Sequence, residues 1–301
     1  MRACMKQRCP NPKCILTANS SLVRGPIIRK GSFFRKSDSR QIPRYFCKIC
    51  QKHFSSTSAK SDAYQKKRRI TPVLLKLLNS GVSQRRSAII LKVNRKTVVR
   101  RFRYLAKLEH ARHELWLAET YKGRPLNHIQ FDDLETSEHT KCKPLSVALA
   151  VDPETRKILN FKVNKMPAKG HLAKIALHKY GYRKDERAKG WDLMMKELKP
   201  WVRDNAIFRS DSNPHYPKFL FRHHPNAQHE TSLGGRGAVT GQGELKKLHF
   251  DPLFALNHTC AMLRANLNRL FRKTWCTTKN RQGLIDHLSI YVTYHNQVLT
   301  G

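Results

Sequence analysis

The spacing of apolar residues changes character twice along this chain. Residues 1–58 hold short β-prone runs, "LVRGPIIRKGSFFRKS" and "IPRYFC", divided by Gly25 and Gly31. Over residues 66–115 the period becomes helical. "TPVLLKLLNSG" has Pro72 in a first turn, an apolar series from Val73 to Leu78, and Gly81 as terminator. Ser83 caps a short helix carrying Ala88, Ile89, Ile90 and Leu91, and Asn94 caps a longer one with Val98, Val99, Phe102 and Leu105 inward.

From about residue 124 to 301 the period changes again. "HIQFDDLET" alternates Ile129 and Phe131 on one face, and "LSVALAVD" and "ILNFKVN" read as two strands joined by the turn "PETRK". Two helical stretches follow, "HLAKIALHKYG" and "WDLMMKELKPWVRD", with Gly190 ahead of the second. "NAIFRSD" is a further strand, "PNAQHETSLGGRGAVTGQGELKK" a glycine-dense loop, and "FDPLFALNHTCAMLRANLNRLFRKTW" one long helix. On that helix Asn257, Arg264, Asn268 and Arg272 recur at helical spacing as one polar face. "GLIDHLSIYVTYHN" is a final packing helix. The pattern predicts a multidomain α/β protein: a small β unit, a helical unit and a larger mixed sheet.

Charge identifies the partner class. The 301 residues carry 59 Lys and Arg against 21 acids, a formal net charge of +38 spread over the whole length. Cations in this excess favour a polyphosphate, because binding releases condensed counterions. Ribosomal and membrane-surface proteins share such a balance, so charge alone leaves them open. The sequence holds no apolar run of the ~18 residues that span a bilayer. "MRACMKQRCPNP" lacks a signal-peptide core, so the expected location is a bacterial cytoplasm, in association with the nucleoid.

The cysteines add a metal. Cys9 and Cys14 form C-x4-C, and Cys47 and Cys50 form C-x2-C. Two such knuckles bring four thiolates into a tetrahedron suited to structural zinc, which replaces the core so small a unit cannot build. Cys4 competes with Cys9 for the first pair. The helical unit reads helix, short helix, turn, basic helix, the order of a helix-turn-helix whose last helix enters the major groove. Arg95, Lys96, Thr97, Arg100 and Arg101 are its groove-facing candidates. An ordinary helical bundle with a solvated basic face is the bland alternative.

Asp132 and Asp211 close the argument. Each ends an apolar strand, "IQFD" and "IFRSD". Strand, hairpin partner, third strand, helices and strand is the layout of an RNase H-like domain, in which the first and fourth strands lie side by side. Paired carboxylates there suit two hard cations acting on a phosphodiester. Asp133 and Glu135 are rival acids close by.

These segments together resemble a bacterial insertion-sequence transposase of the DDE type, with zinc ribbon and helix-turn-helix ahead of an RNase H-like catalytic domain. The resemblance runs over "RCPNPKC…RYFCKICQKHF", "GVSQRRSAIILKVNRKTVVRRF", "IQFDD", "SDSNPHY" and "LRANLNRLFRKTWCTTK". It implies binding of the element's terminal repeats and of target DNA, cleavage and strand transfer, two magnesium ions (or manganese), and a homodimer or larger assembly on DNA. It also implies that Asp132 and Asp211 are metal ligands and that Arg264, Arg272 and Lys273 hold backbone phosphates. The family's third carboxylate is missing: Asn257 stands where Glu is expected, and the nearest glutamate, Glu244, lies in the glycine-dense loop. Asp, Asp and Asn as the ligand set, Glu244 in place of Asn257, and an inactive copy all remain open, the first being the reading preferred. The functional alternatives are a DNA-binding regulator without catalysis and a junction-resolving nuclease.

Overall fold

The computed structural model describes residues 8–14, 26–36, 38–58, 60, 62–63, 65–232, 251–271 and 274–300. Two compact units divide the chain, Met1–Leu74 and Leu75–Gly301. In the first, β1 (Ile27–Arg35), β2 (Arg40–Cys47) and β3 (His53–Ser55) form an antiparallel sheet in the order β1-β2-β3. Gly31 does not split the first strand; it takes a φ of 75° at a register shift between Arg29 and Ser32 and bends it. The interior of this unit is small, with Phe54 and the cysteines packed against Tyr45 and Ile27.

Helix α1 (Thr71–Leu78) precedes α2 (Gln84–Ile90) and α3 (Arg95–Tyr121). The Ser83 side chain accepts from the Arg86 amide and that of Asn94 from the Lys96 amide, so both capping expectations hold. Helix α3 continues five residues past Trp116. Its distal residues Leu117 and Tyr121 enter the main core, which merges α2 and α3 into the same compact unit as the sheet.

That sheet contains β4 (Leu126–Ser137), β5 (Pro144–Val151), β6 (Ile158–Lys165), β7 (Val202–Asp211) and β8 (Gln228–Ser232), ordered β6-β5-β4-β7-β8. Strands β4, β5 and β6 pair antiparallel, whereas β7 runs parallel to both β4 and β8. Strand β5, "PLSVALAV", is apolar on both faces because helices cover both. Ala148 and Ala150 leave room for Trp191, Met194 and Met195 of α5 (Arg187–Leu198) on one side. Leu145, Val147 and Leu149 meet Leu256 and Leu263 of α7 (Phe254–Asn266) and Leu284 and Leu288 of α8 (Arg281–Tyr294) on the other. Two further helices, α4 (Leu172–Tyr180) and α6 (Tyr216–His223), flank α5 in sequence.

Three expectations are corrected. Gly190 lies inside α5 rather than ahead of it, and the helix stops at Leu198 before Pro200, so Val202 already belongs to β7. Strand β8 arises from "QHETS", which read as loop because its polar residues hide an edge strand that only backbone pairing reveals. The long C-terminal helix ends at Asn266. The Asn266 side chain donates to the Met262 carbonyl and its own carbonyl accepts from Gly81, while Leu267 turns extended to bury itself. Asn268 therefore leaves the proposed polar helix face, and Arg272 and Lys273 lie outside the described residues.

Gly190 tests the helix–sheet contact. A Cβ there would fall 2.0 Å from the buried Asn164 side chain on β6. Gly190→Ala is expected to lower unfolding free energy by about 1–3 kcal/mol, as overpacking does; an unchanged urea midpoint would show that α5 has slack against the sheet.

Candidate functional site

The four cysteines meet as their spacing predicts. Cys14 sits in a turn closed by its amide donating to the Asn11 carbonyl at 3.0 Å, and Cys47 in one closed by its amide donating to the Lys52 carbonyl at 3.0 Å. Gln51, at φ 54°, gives the second turn its left-handed step. The Sγ atoms of Cys9 and Cys50 are 3.5 Å apart, those of Cys14 and Cys47 3.8 Å, and all four lie within 4.8 Å. Zinc at ~2.3 Å from each thiolate sets sulfur–sulfur edges of about 3.8 Å, so the arrangement fits a tetrahedral ion. Burial pushes the Cys9 thiol up to about 12, while a hydrogen bond from Asn11 lowers Cys50 to about 6. A metal such as zinc can be held here.

The second constellation lies at the centre of the five-stranded sheet. Parallel pairing aligns Ile129 with Phe208 and Gln130 with Arg209, and continuing that register two residues sets Asp132 level with Asp211. Neighbouring strands are about 4.8 Å apart, so the two acids share one site; Asp211 ends β7 as expected, but Asp132 does not end its strand, because pairing with β5 carries β4 on to Ser137. Asp211 begins a turn in which the Asn213 amide donates to its Oδ1 at 3.2 Å. Asp132 Oδ1 accepts from the Tyr216 hydroxyl at 2.9 Å and from the Asp133 amide at 2.6 Å. Burial first, then the negative charge of Asp211, raises Asp132 to about 6. Among the described residues neither carboxylate is ion-paired.

The rival acids are engaged elsewhere. Asp133 points to the opposite side of β4, where it accepts from Ser146 Oγ and from Trp191 Nε1. Burial raises its pKa too. Glu135 is exposed and pairs with Lys169 at 2.8 Å.

Helix α7 approaches the pair through Gln130, two residues before Asp132 on the same side of β4. Its Oε1 accepts from the Leu256 amide at 3.0 Å and its Nε2 donates to the Pro252 carbonyl at 2.9 Å. Burial, with the charge of Asp132 as a lesser cause, holds the Cys260 thiol of α7 up at about 12. Asn257 is exposed, and its Nδ2 donates to Asp251 Oδ2 at 2.9 Å. Asp251 is an acid that the sequence reading passes over. It also accepts from the Leu253 amide, and with Gln130, Arg209 and Glu230 it lines a cleft of about 470 Å³. Among the described residues only the cysteines form a group of three or more His, Cys, Asp or Glu close enough to hold one ion. Glu244 lies outside the described residues.

The basic helix divides its cations. Arg95, Lys96 and Arg100 are exposed on α3. Arg101 is only 3 % exposed, its guanidinium 5.8 Å from the centre of the Tyr104 ring, so it faces the protein and not a groove. The next residue, Phe102, is the apolar position; Arg101 lies beside it on the helix and is drawn in. Arg103 and Lys107 are exposed and continue the row from Lys96 and Arg100 at helical spacing, a stripe that counting arginines near the helix start does not reveal. Arg264 is half-buried in the last turns of α7. No described helix is long and apolar enough to cross a membrane. Compared with family models and with curated proteins, the chain matches none.

Two outcomes follow from this geometry. Purified protein is expected to hold about one zinc per chain, and Cys47→Ser or Cys50→Ser to release it, read by metal analysis; full retention in both variants would refute the four-thiolate site. The Asp132 carboxyl has its own pH signature. Its ordinary value is 3.8 and the folded value about 6, so between these the folded chain holds a proton the unfolded chain has lost. Stability attributable to this group therefore falls as pH rises through that window. In metal-free buffer Asp132→Asn should be more stable than the parent by about 1–3 kcal/mol at pH 7 and no more stable at pH 4. Equal stability at both pH values would mean that neither burial nor the charge of Asp211 disfavours the ionised carboxyl.

Proposed function

We propose that this protein binds DNA and cuts and joins it, as a transposase of the DDE type does. The observation that carries the reading is the side-by-side position of Asp132, within β4, and Asp211, at the end of β7, on two adjacent parallel central strands. The strand order β6-β5-β4-β7-β8, with β4 and β7 adjacent, is consistent with an RNase H-like catalytic domain. Two half-buried carboxylates without a cationic partner are a hard-oxygen donor set that suits magnesium or manganese rather than a soft metal. Such ions, when bound, supply charge to stabilise both the attacking and the leaving oxygen of the phosphodiester.

The chain's own residues do the rest. Tyr216 fixes the Asp132 carboxylate, leaving its second oxygen to face the site. Asp251 takes the Asn257 amide nitrogen, which leaves the Asn257 carbonyl oxygen as a neutral ligand in place of the expected glutamate. Lys96, Arg100, Arg103 and Lys107 give α3 an exposed cationic stripe for backbone and base contact. The four-cysteine unit, holding zinc, adds a second basic module to grip terminal repeats, and an assembly of two or more chains on DNA accords with cutting two ends. One observation favours the rival regulator: no third described acid joins the aspartate pair.

The two readings separate in one experiment. Duplex carrying the element's ends should be nicked in magnesium, and Asp132→Asn or Asp211→Asn should reduce nicking at least 1,000-fold, the order lost when electrostatic catalysis is removed, with binding within about twofold of the parent. Asn257→Ala should raise the magnesium required. Tight binding by the parent with no nicking in magnesium or manganese would establish the regulator instead, and nicking without strand transfer the nuclease.

A further inference from the structure

We infer that the projection formed by residues 169–184, rooted at the end of the strand that carries Asp132, is a second DNA-binding surface that holds the duplex flanking the scissile phosphate. The inference rests on the DNA-processing reading for its ligand, and its observations are separate from those of the acids.

Helix α4 is built unlike its neighbours. Of its nine residues only Ala176 is buried, while Ile175 and Leu177 are 51 % and 60 % exposed. A helix this short is marginal alone in water, so it persists by being tied at its ends. Lys169 pairs with Glu135 at 2.8 Å before it. After it, Arg183 donates to the Met166 and Pro144 carbonyls at 3.2 and 3.3 Å and to Glu138 at 3.3 Å. The Lys143 ammonium sits 4.3 Å over the Tyr180 ring. Glu135 belongs to β4 and Glu138 directly follows its end, three and six residues beyond Asp132, roughly 10 and 20 Å along the chain at ~3.3 Å per residue. The projection is therefore rooted on the central strand that carries Asp132, toward the end of β4 beyond the aspartate pair.

Its chemistry names the partner. From Gly170 to Lys184 the chain has no acid, against Lys174, Lys179, Arg183 and Lys184 with His171 and His178. Lys174, Lys179 and Lys184 form no ion pair among the described residues. Gly181, at φ 72°, ends the helix, and beyond it Tyr182 is 84 % exposed. Unpaired cations beside an exposed aromatic ring fit a phosphate backbone with a base free to stack. A second copy of the chain is disfavoured as occupant, because a protein of charge +38 would bring cations to cations.

The test uses the full-length protein without divalent metal, so it does not depend on cleavage. Affinity for a labelled duplex with one unpaired base at its centre is followed against salt. Replacing Lys174, Lys179 and Lys184 by Ala together should reduce the slope of log affinity against log salt by about 2–3, near 0.9 per phosphate contact. Tyr182→Ala should weaken binding to that duplex about tenfold while Tyr182→Trp preserves it. Circular dichroism should be unchanged, since these side chains are exposed. An unaltered slope in the triple variant overturns the inference. So does a variant that loses binding to phosphatidylserine vesicles, or changes oligomeric state, with its DNA slope intact.

Discussion

The parallel pairing of β4 with β7 is the constraint on which this structure depends. It brings two acids distant in sequence to one level, and it leaves no tolerance. A slip of one residue would turn Asp211 to the opposite face of the sheet, since strand side chains alternate. The register is held by bulk: Ile129 and Phe131 of β4 and Phe208 of β7 are buried against Trp191, Tyr216 and Leu220 on one side. Hydrophobic burial thus sustains an electrostatically unfavourable pair, and the raised pKa of Asp132 is the visible cost of that arrangement.

The same core organises the helices. Helix α3 carries its exposed cations near its start and buries Leu117 and Tyr121 at its far end. The Thr293 hydroxyl donates to the Glu109 carbonyl at 2.9 Å, and His113 Nε2 donates to the Leu159 carbonyl at 3.0 Å. A single helix therefore ties the basic stripe to the sheet, so the exposed cations and the acid pair belong to one compact unit. The cysteine unit follows another rule. Its three strands enclose a small interior, and a metal such as zinc, which the four sulfurs can hold, would supply what so small a core lacks.

Much of this was legible in the sequence because local patterns determine it. The cysteine spacing, the Ser83 and Asn94 caps and the alternation around Phe131 depend on neighbours within a few residues. What stayed hidden depends on distant partners. Strand β8 is polar and exists through pairing with β7; the end of α7 is set by Gly81 and by burial of Leu267. Arg101 looks like its neighbours in sequence but lies on the inward side of α3, a distinction of one helical step. Asp251 is anonymous in the chain and acquires meaning only through its contact with Asn257. The projection at α4 was recognised as a helix, yet its bareness is a property of what fails to pack on it.

The central claim is that Asp132 and Asp211 hold a divalent ion together. Iron(II) occupies magnesium sites and, with ascorbate and peroxide, cuts the polypeptide beside its ligands, so fragment mapping locates the site in solution without reference to DNA. The account predicts backbone cleavage near residues 132 and 211, suppressed by excess magnesium and lost from both positions in Asp132→Asn. Cleavage confined to other segments, or unchanged in that variant, would contradict it.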